Sequence, residues 1–198
     1  MQETPDPRSS LSPRSGLRGM LDRLVGPGAS GAELAFQFVF ATLAAAVAIA
    51  SAAARVSEWG VIHYIASALI AFDLAGGVVT TATPAGIRWH ARSDLGRIHH
   101  LAFAAIHIVH LAVVAWLFRA FDLPFLALHA GLLLASAAAI LAAPRYLRRP
   151  AAMALYAVTV VVVLYAFEAT PGLEWFLPLF YLKLLVGYLG VCRTSLRN

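Results

Sequence analysis

Between Arg97 and Leu111 the chain reads RIHHLAFAAIHIVHL, which places His99, His100, His107 and His110 in an otherwise apolar run of fifteen residues. Imidazoles so placed can bind a metal or haem, or pass a proton near neutral pH. With His99 as origin and about 100° per helical residue, His110, His107 and His100 fall at roughly 20°, 80° and 100°, so one face of a regular helix carries all four. That face is expected to turn away from lipid. Two further ionisable residues stand alone in apolar runs: Asp73 in FDLAGG and Lys183 in FYLKLL. Each would cost about 2.5–3.5 kcal/mol at the centre of a bilayer, so each needs a partner. A rise of about 1.5 Å per residue puts Asp73, His107, His110 and Lys183 in the middle third of their helices. These four are expected to meet as an internal polar seam. His63, about 80° around the helix from Asp73, is a further candidate.

Three chemistries fit such a seam. Titratable groups strung at several depths make a proton relay or a proton-coupled transporter, with Asp73, Lys183, His107, His110 and His63 as its members. The second is a haem- or metal-dependent oxidoreductase. Here the HxxH pair His107 and His110 would share a divalent ion with Asp73 or with another histidine such as His100, or His63 and His129 would hold a haem from two facing helices. In the third, the chain is a partner subunit or assembly factor, and Asp73 and Lys183 form an ion pair that only fixes helix packing. His90 and His129 lie near helix ends and His99 and His100 near an interface, where water and headgroups can satisfy them. A Schiff-base lysine of the retinal-protein kind is disfavoured by six spans where those proteins have seven. The histidine boxes of membrane desaturases need more imidazoles than the seven present, and place them outside the bilayer.

The elements that must position these residues follow from composition. Of 198 residues, 61% are hydrophobic and only 13% charged, outside the range of a soluble domain. A bilayer core about 30 Å thick needs roughly 20 apolar residues per helix. Six runs qualify: 34–54, 59–80, 98–118, 124–143, 150–167 and 173–192. The expected fold is therefore an all-α bundle of six transmembrane helices over residues 34–192. It is preceded by an arm at 1–33 and followed by a short tail at 193–198. No stretch is left for a separate soluble catalytic domain. The net charge of +5 does not point to nucleic acid, because the basic residues are sorted by loop. Arg8, Arg14, Arg18, Arg23, Arg88, Arg92, Arg97, Arg145, Arg148, Arg149, Arg193 and Arg197 fall on one side, and only Arg55 and Arg119 on the other. The positive-inside rule then puts both termini in the cytoplasm, with Trp59, Trp116 and Trp175 at the outer boundary.

Within the arm, residues 1–16 are rich in Pro, Ser and Arg and are expected to be disordered. Leu17, Met20, Leu21, Leu24 and Val25 recur at helical spacing opposite Arg18, Asp22 and Arg23, which predicts an amphipathic interfacial helix over 17–25. A cleaved signal peptide is disfavoured, because its apolar core would be too long and would begin too late. Pro84 is expected to end the second span, Ser93 and Asp94 to cap the third, and Pro124 and Pro150 to sit in first turns. Pro178 is expected to kink the sixth span ahead of Lys183. Cys192 has no partner for a disulfide or a CxxC motif.

The segments FDLAGGVVTTATPAGIRWH, IHIVHLAVVAWLF and PGLEWFLPLFYLKLLV resemble those of a group of small bacterial six-span membrane proteins of unassigned function. The resemblance implies a protein of the bacterial cytoplasmic (inner) membrane, surrounded by lipid and assembled alone, as a homo-oligomer or in a larger membrane complex. It implies no chemistry.

Overall fold

A computed structural model of the chain describes residues 12–90, 92, 95–166 and 168–192. Every regular element among them is helical. In chain order they are α1 (Gly16–Val25), α2 (Gly31–Arg55), α3 (Val61–Ala82), α4 (Pro84–His90), α5 (Arg97–Ile106), α6 (Ile108–Leu117), α7 (Leu123–Ala142), α8 (Arg148–Ala166) and α9 (Phe176–Tyr181). A π-helical stretch, Leu182–Tyr188, and a 3-10 turn, Leu189–Val191, continue α9 without a break. Five helical spans, of 25, 22, 21, 20 and 22 residues, are long and apolar enough to cross a membrane. The sixth apolar run forms the shorter helix Phe176–Val191. Large apolar side chains cover the outside: Phe36, Phe40, Leu43 and Val47 on α2, Ile65 and Leu69 on α3, and Val158, Val161 and Leu164 on α8 are all exposed. Such a surface suits acyl chains rather than water.

Local sequence explains the ends. Ser30 accepts from the Glu33 amide while Glu33 Oε2 takes the Ser30 amide, a reciprocal cap that starts α2. The other oxygen of Glu33 accepts from the Ala85 amide at 3.0 Å, tying that end of α2 to α4. Pro84 opens α4, Asp122 caps α7 ahead of Pro124, and Pro150 lies in the first turn of α8. The predicted interfacial helix is α1, with Leu17, Met20 and Leu24 on its exposed side. Ahead of α1, the Arg14 guanidinium forms an ion pair with Asp22 at 2.6 Å, which ties Arg14 to α1. The remainder of the expected disordered arm, the caps Ser93 and Asp94 and the tail at 193–198 lie outside the described residues.

Two of the six runs depart from regular helices. The third is broken at His107, whose amide bonds to Ala104 O, while its carbonyl accepts from the His110 amide. These are three-residue spacings, so one tight turn joins α5 to α6. The angular map of a regular helix therefore fails, and His99 lies exposed while His100 and His107 are buried. In the sixth run, Pro178 is the third residue of α9, where the first-turn N–H groups have no helical acceptor in any case. The expected kink is absent there. The irregularity comes further on, in the π stretch that contains Lys183.

The packing is uneven. α2 packs on α3, and α3 reaches the rest of the bundle chiefly through the last helix, while α7 and α8 pack on that helix and α5 and α6 on α7. The core is built from Leu74, Leu111, Leu133, Ile140, Phe176, Phe180, Tyr181 and Tyr188, all essentially inaccessible. Between α3 and α5 the bundle is open.

Candidate functional site

Asp73 on α3, His110 on α6 and Lys183 on the last helix meet at one carboxylate oxygen. Lys183 Nζ lies 2.6 Å from Asp73 Oδ2, and His110 Nε2 lies 3.1 Å from the same atom. Lys183 also donates to the Asp73 carbonyl at 3.3 Å. Gly77, one turn beyond Asp73, makes the approach possible, because a Cβ there would run into the Lys183 methylenes. The His110 ring stacks on that of His107 with centroids 5.4 Å apart and an interplanar angle of 11°.

The group opens onto a cavity of about 350 Å3 between α3 and α5. Its walls are mostly apolar, among them Leu24, Val25, Phe38, Ala41, Phe72 and Phe103, with Asp73, His107, Lys183, His90 and Tyr188 set into them. The cavity runs from Asp73 to α1, at the arginine-rich end. On the other side of Lys183, Leu173, Phe176 and Phe180 are buried and fill the bundle towards Trp175. Asp73 corrects the expectation of a fully buried cluster. Lys183 is 5% exposed, but the Asp73 side chain is 49% exposed, because small residues (Ala41, Gly76) line the gap it faces.

The π stretch decides which residues of the last helix face the cavity. In an α-helix Lys183 and Tyr188, five residues apart, would differ by about 140°. Hydrogen bonds from i to i+5 stack residues at that spacing, and both line the cavity. Gly187, in the same stretch, lets the helix approach Thr81 Oγ1 on α3. Tyr188 in turn contacts His100 Nδ1 through its hydroxyl at 2.9 Å and packs its ring against Phe103 and His90. His99, His100 and Tyr188 thus form one polar group and His107, His110 and Asp73 another, with the Phe103 ring packed on both Tyr188 and His107.

The remaining candidates lie elsewhere. His63 sits at the tryptophan end, accepting from the Gly60 amide and packed against Trp59 and Phe118, apart from the Asp73 group. His129 is buried beside Tyr181, whose hydroxyl donates to the His129 carbonyl. The two rings have separate partners and do not face each other as a haem pair would require. The pair His107 and His110 does not converge on an ion either, since the rings lie parallel and His107 Nδ1 bonds to the Phe103 carbonyl. Among the described residues no three His, Cys, Asp or Glu side chains come together as a metal-binding group.

Three lining residues escape a search for isolated charges and histidines. Gln37 in FQFVF is a lone amide in an apolar run, Tyr188 looks like an ordinary interfacial aromatic, and Arg23 looks like part of a solvated face. Only Gln37 carried a usable signal, an amide with nothing local to bond. Comparison with family models, curated proteins and solved structures finds no match to this chain.

Proposed function

We propose that this chain is a six-span protein of a bacterial cytoplasmic membrane, with both termini in the cytoplasm, and that it moves protons through the Asp73 group, coupled to a solute admitted by the adjoining cavity. The observation that carries this reading is the shared contact of Lys183 and His110 with Asp73 Oδ2, beside a cavity that reaches α1 at the arginine-rich end. The sorting of arginines supports the orientation, and Phe176–Val191 serves as the sixth span.

The three groups come from three helices. A proton reaching Asp73 removes the negative charge that holds both Lys183 and His110, so α3 loosens from α6 and from the last helix together. His110, stacked on His107, is the group placed to deliver that proton, and Tyr188 and His100 form a second polar group beyond the Phe103 ring. Loss of the carboxylate charge is thus linked to a change in helix packing, which is what coupling requires.

The test is proton flux in proteoliposomes carrying a pH-sensitive dye, driven by an imposed potential. Asp73→Asn and His110→Gln are each expected to abolish it. Flux at the wild-type rate in both variants would remove Asp73 from the path.

A further inference from the structure

The end of the cavity beneath α1 carries polar groups that proton movement does not use. Gln37 is 3% exposed; its amide oxygen accepts from Thr80 Oγ1 at 2.8 Å and its amide nitrogen has no partner. Turning the amide over would leave the oxygen unpaired instead, so Gln37, which lines the cavity, keeps one strong polar atom unmatched either way. Arg23, on α1, lines the same cavity, and among the described residues no acid lies within ion-pair distance of its guanidinium. The other titratable groups in the lining are Asp73, His90, His107, Lys183 and Tyr188. Asp73 and Lys183 neutralise each other, which leaves Arg23 as the uncompensated charge.

Position identifies what would compensate it. α1 exposes Leu17, Met20 and Leu24 at 85%, 61% and 68% and carries Arg18 and Arg23 beside them, the make-up of a helix lying at headgroup depth in an anionic leaflet. Phe38 and Phe72, whose rings are 6.2 Å apart, form an apolar wall of the cavity. We infer that the cavity is a binding site for one anionic phospholipid, with its phosphate on Arg23 and the Gln37 amide and an acyl chain along Phe38, Ala41 and Phe72. This site depends on no proton movement.

Purified full-length protein in neutral detergent, without any pH gradient, is titrated with phosphatidylglycerol, phosphatidylcholine or inorganic phosphate, and bound lipid is counted by native mass spectrometry. One phosphatidylglycerol per chain is expected, held about tenfold or more tighter than phosphatidylcholine. Arg23→Gln alters only an exposed side chain, since the bond from Trp89 Nε1 goes to the Arg23 carbonyl, and it is expected to abolish that preference. Gln37→Leu is expected to weaken phosphatidylglycerol in the same assay. Equal affinity for the two lipids, an unchanged preference in Arg23→Gln, or displacement of the lipid by inorganic phosphate at matching concentration would each overturn the inference.

Discussion

Lys183 reaches Asp73 across Gly77, and the 2.6 Å ion pair exists because position 77 has no side chain. Two helices are brought to that distance by a residue type, so the pair and the packing of α3 on the last helix stand or fall together. Gly77→Ala is expected to lower stability by about 1–3 kcal/mol, the range for inserting a methyl group into a filled site. Thermal unfolding in detergent measures it; an unchanged midpoint would mean that the lysine has another resting place.

The two partners are unequally buried, which makes their removal unequal. Asp73→Asn strands the buried Lys183 ammonium, whereas Lys183→Met leaves Asp73 half exposed and still in contact with His110. The first is expected to cost about 3–5 kcal/mol and the second clearly less. The double variant should recover most of the loss, and a double-mutant cycle reads the coupling directly. Equal costs would contradict the asymmetry.

The segment before α1 is held to that helix by a contact whose dependence on pH has a definite sign. The Arg14 guanidinium and amide hold the Asp22 carboxyl at about 2, below its ordinary value of 3.8. The contribution of Asp22 is complete above pH 3.8 and is lost as pH falls towards about 2, because protonation is easier once Arg14 has moved away. Trp89, bonded to the Arg23 carbonyl, is the reporter. Its fluorescence is expected to change across that interval, and Asp22→Asn should remove the transition.

Arg148 is 3% exposed and donates to three carbonyls, those of Leu141, Ala143 and Cys192, each at 3.3 Å. It closes the end of α7 and the end of the last helix with one fork of donors. Arg148→Lys cannot span all three and is expected to lose about 2–3 kcal/mol, with Arg148→Met at least as damaging. A lysine variant of wild-type stability would show that one carbonyl suffices.

Which ionisable residues stand inside apolar spans was readable before any coordinates, and the reason is the solvent. Lipid cannot satisfy a backbone or a charge, so spans must be continuous apolar helices and every exception to that rule is conspicuous. Asp73, His107, His110 and Lys183 stood out on those grounds, as did the amphipathic α1 and the prolines at Pro84, Pro124 and Pro150. What a linear reading assumes is a regular helix of 3.6 residues per turn, and the site is built where that assumption fails. The turn at His107 breaks the register between His99–His100 and His107–His110, and the π stretch brings Lys183 and Tyr188 to one side. Pairing across helices was settled by small residues at contacts far apart in sequence, Gly77 under Lys183 and Gly76 against Ala41. The same small residues leave Asp73 beside open space, where composition alone implied a sealed core. Hydropathy acts one residue at a time and so is written along the chain, whereas the shape of a gap between helices depends on several side chains at once and appears only when they are packed.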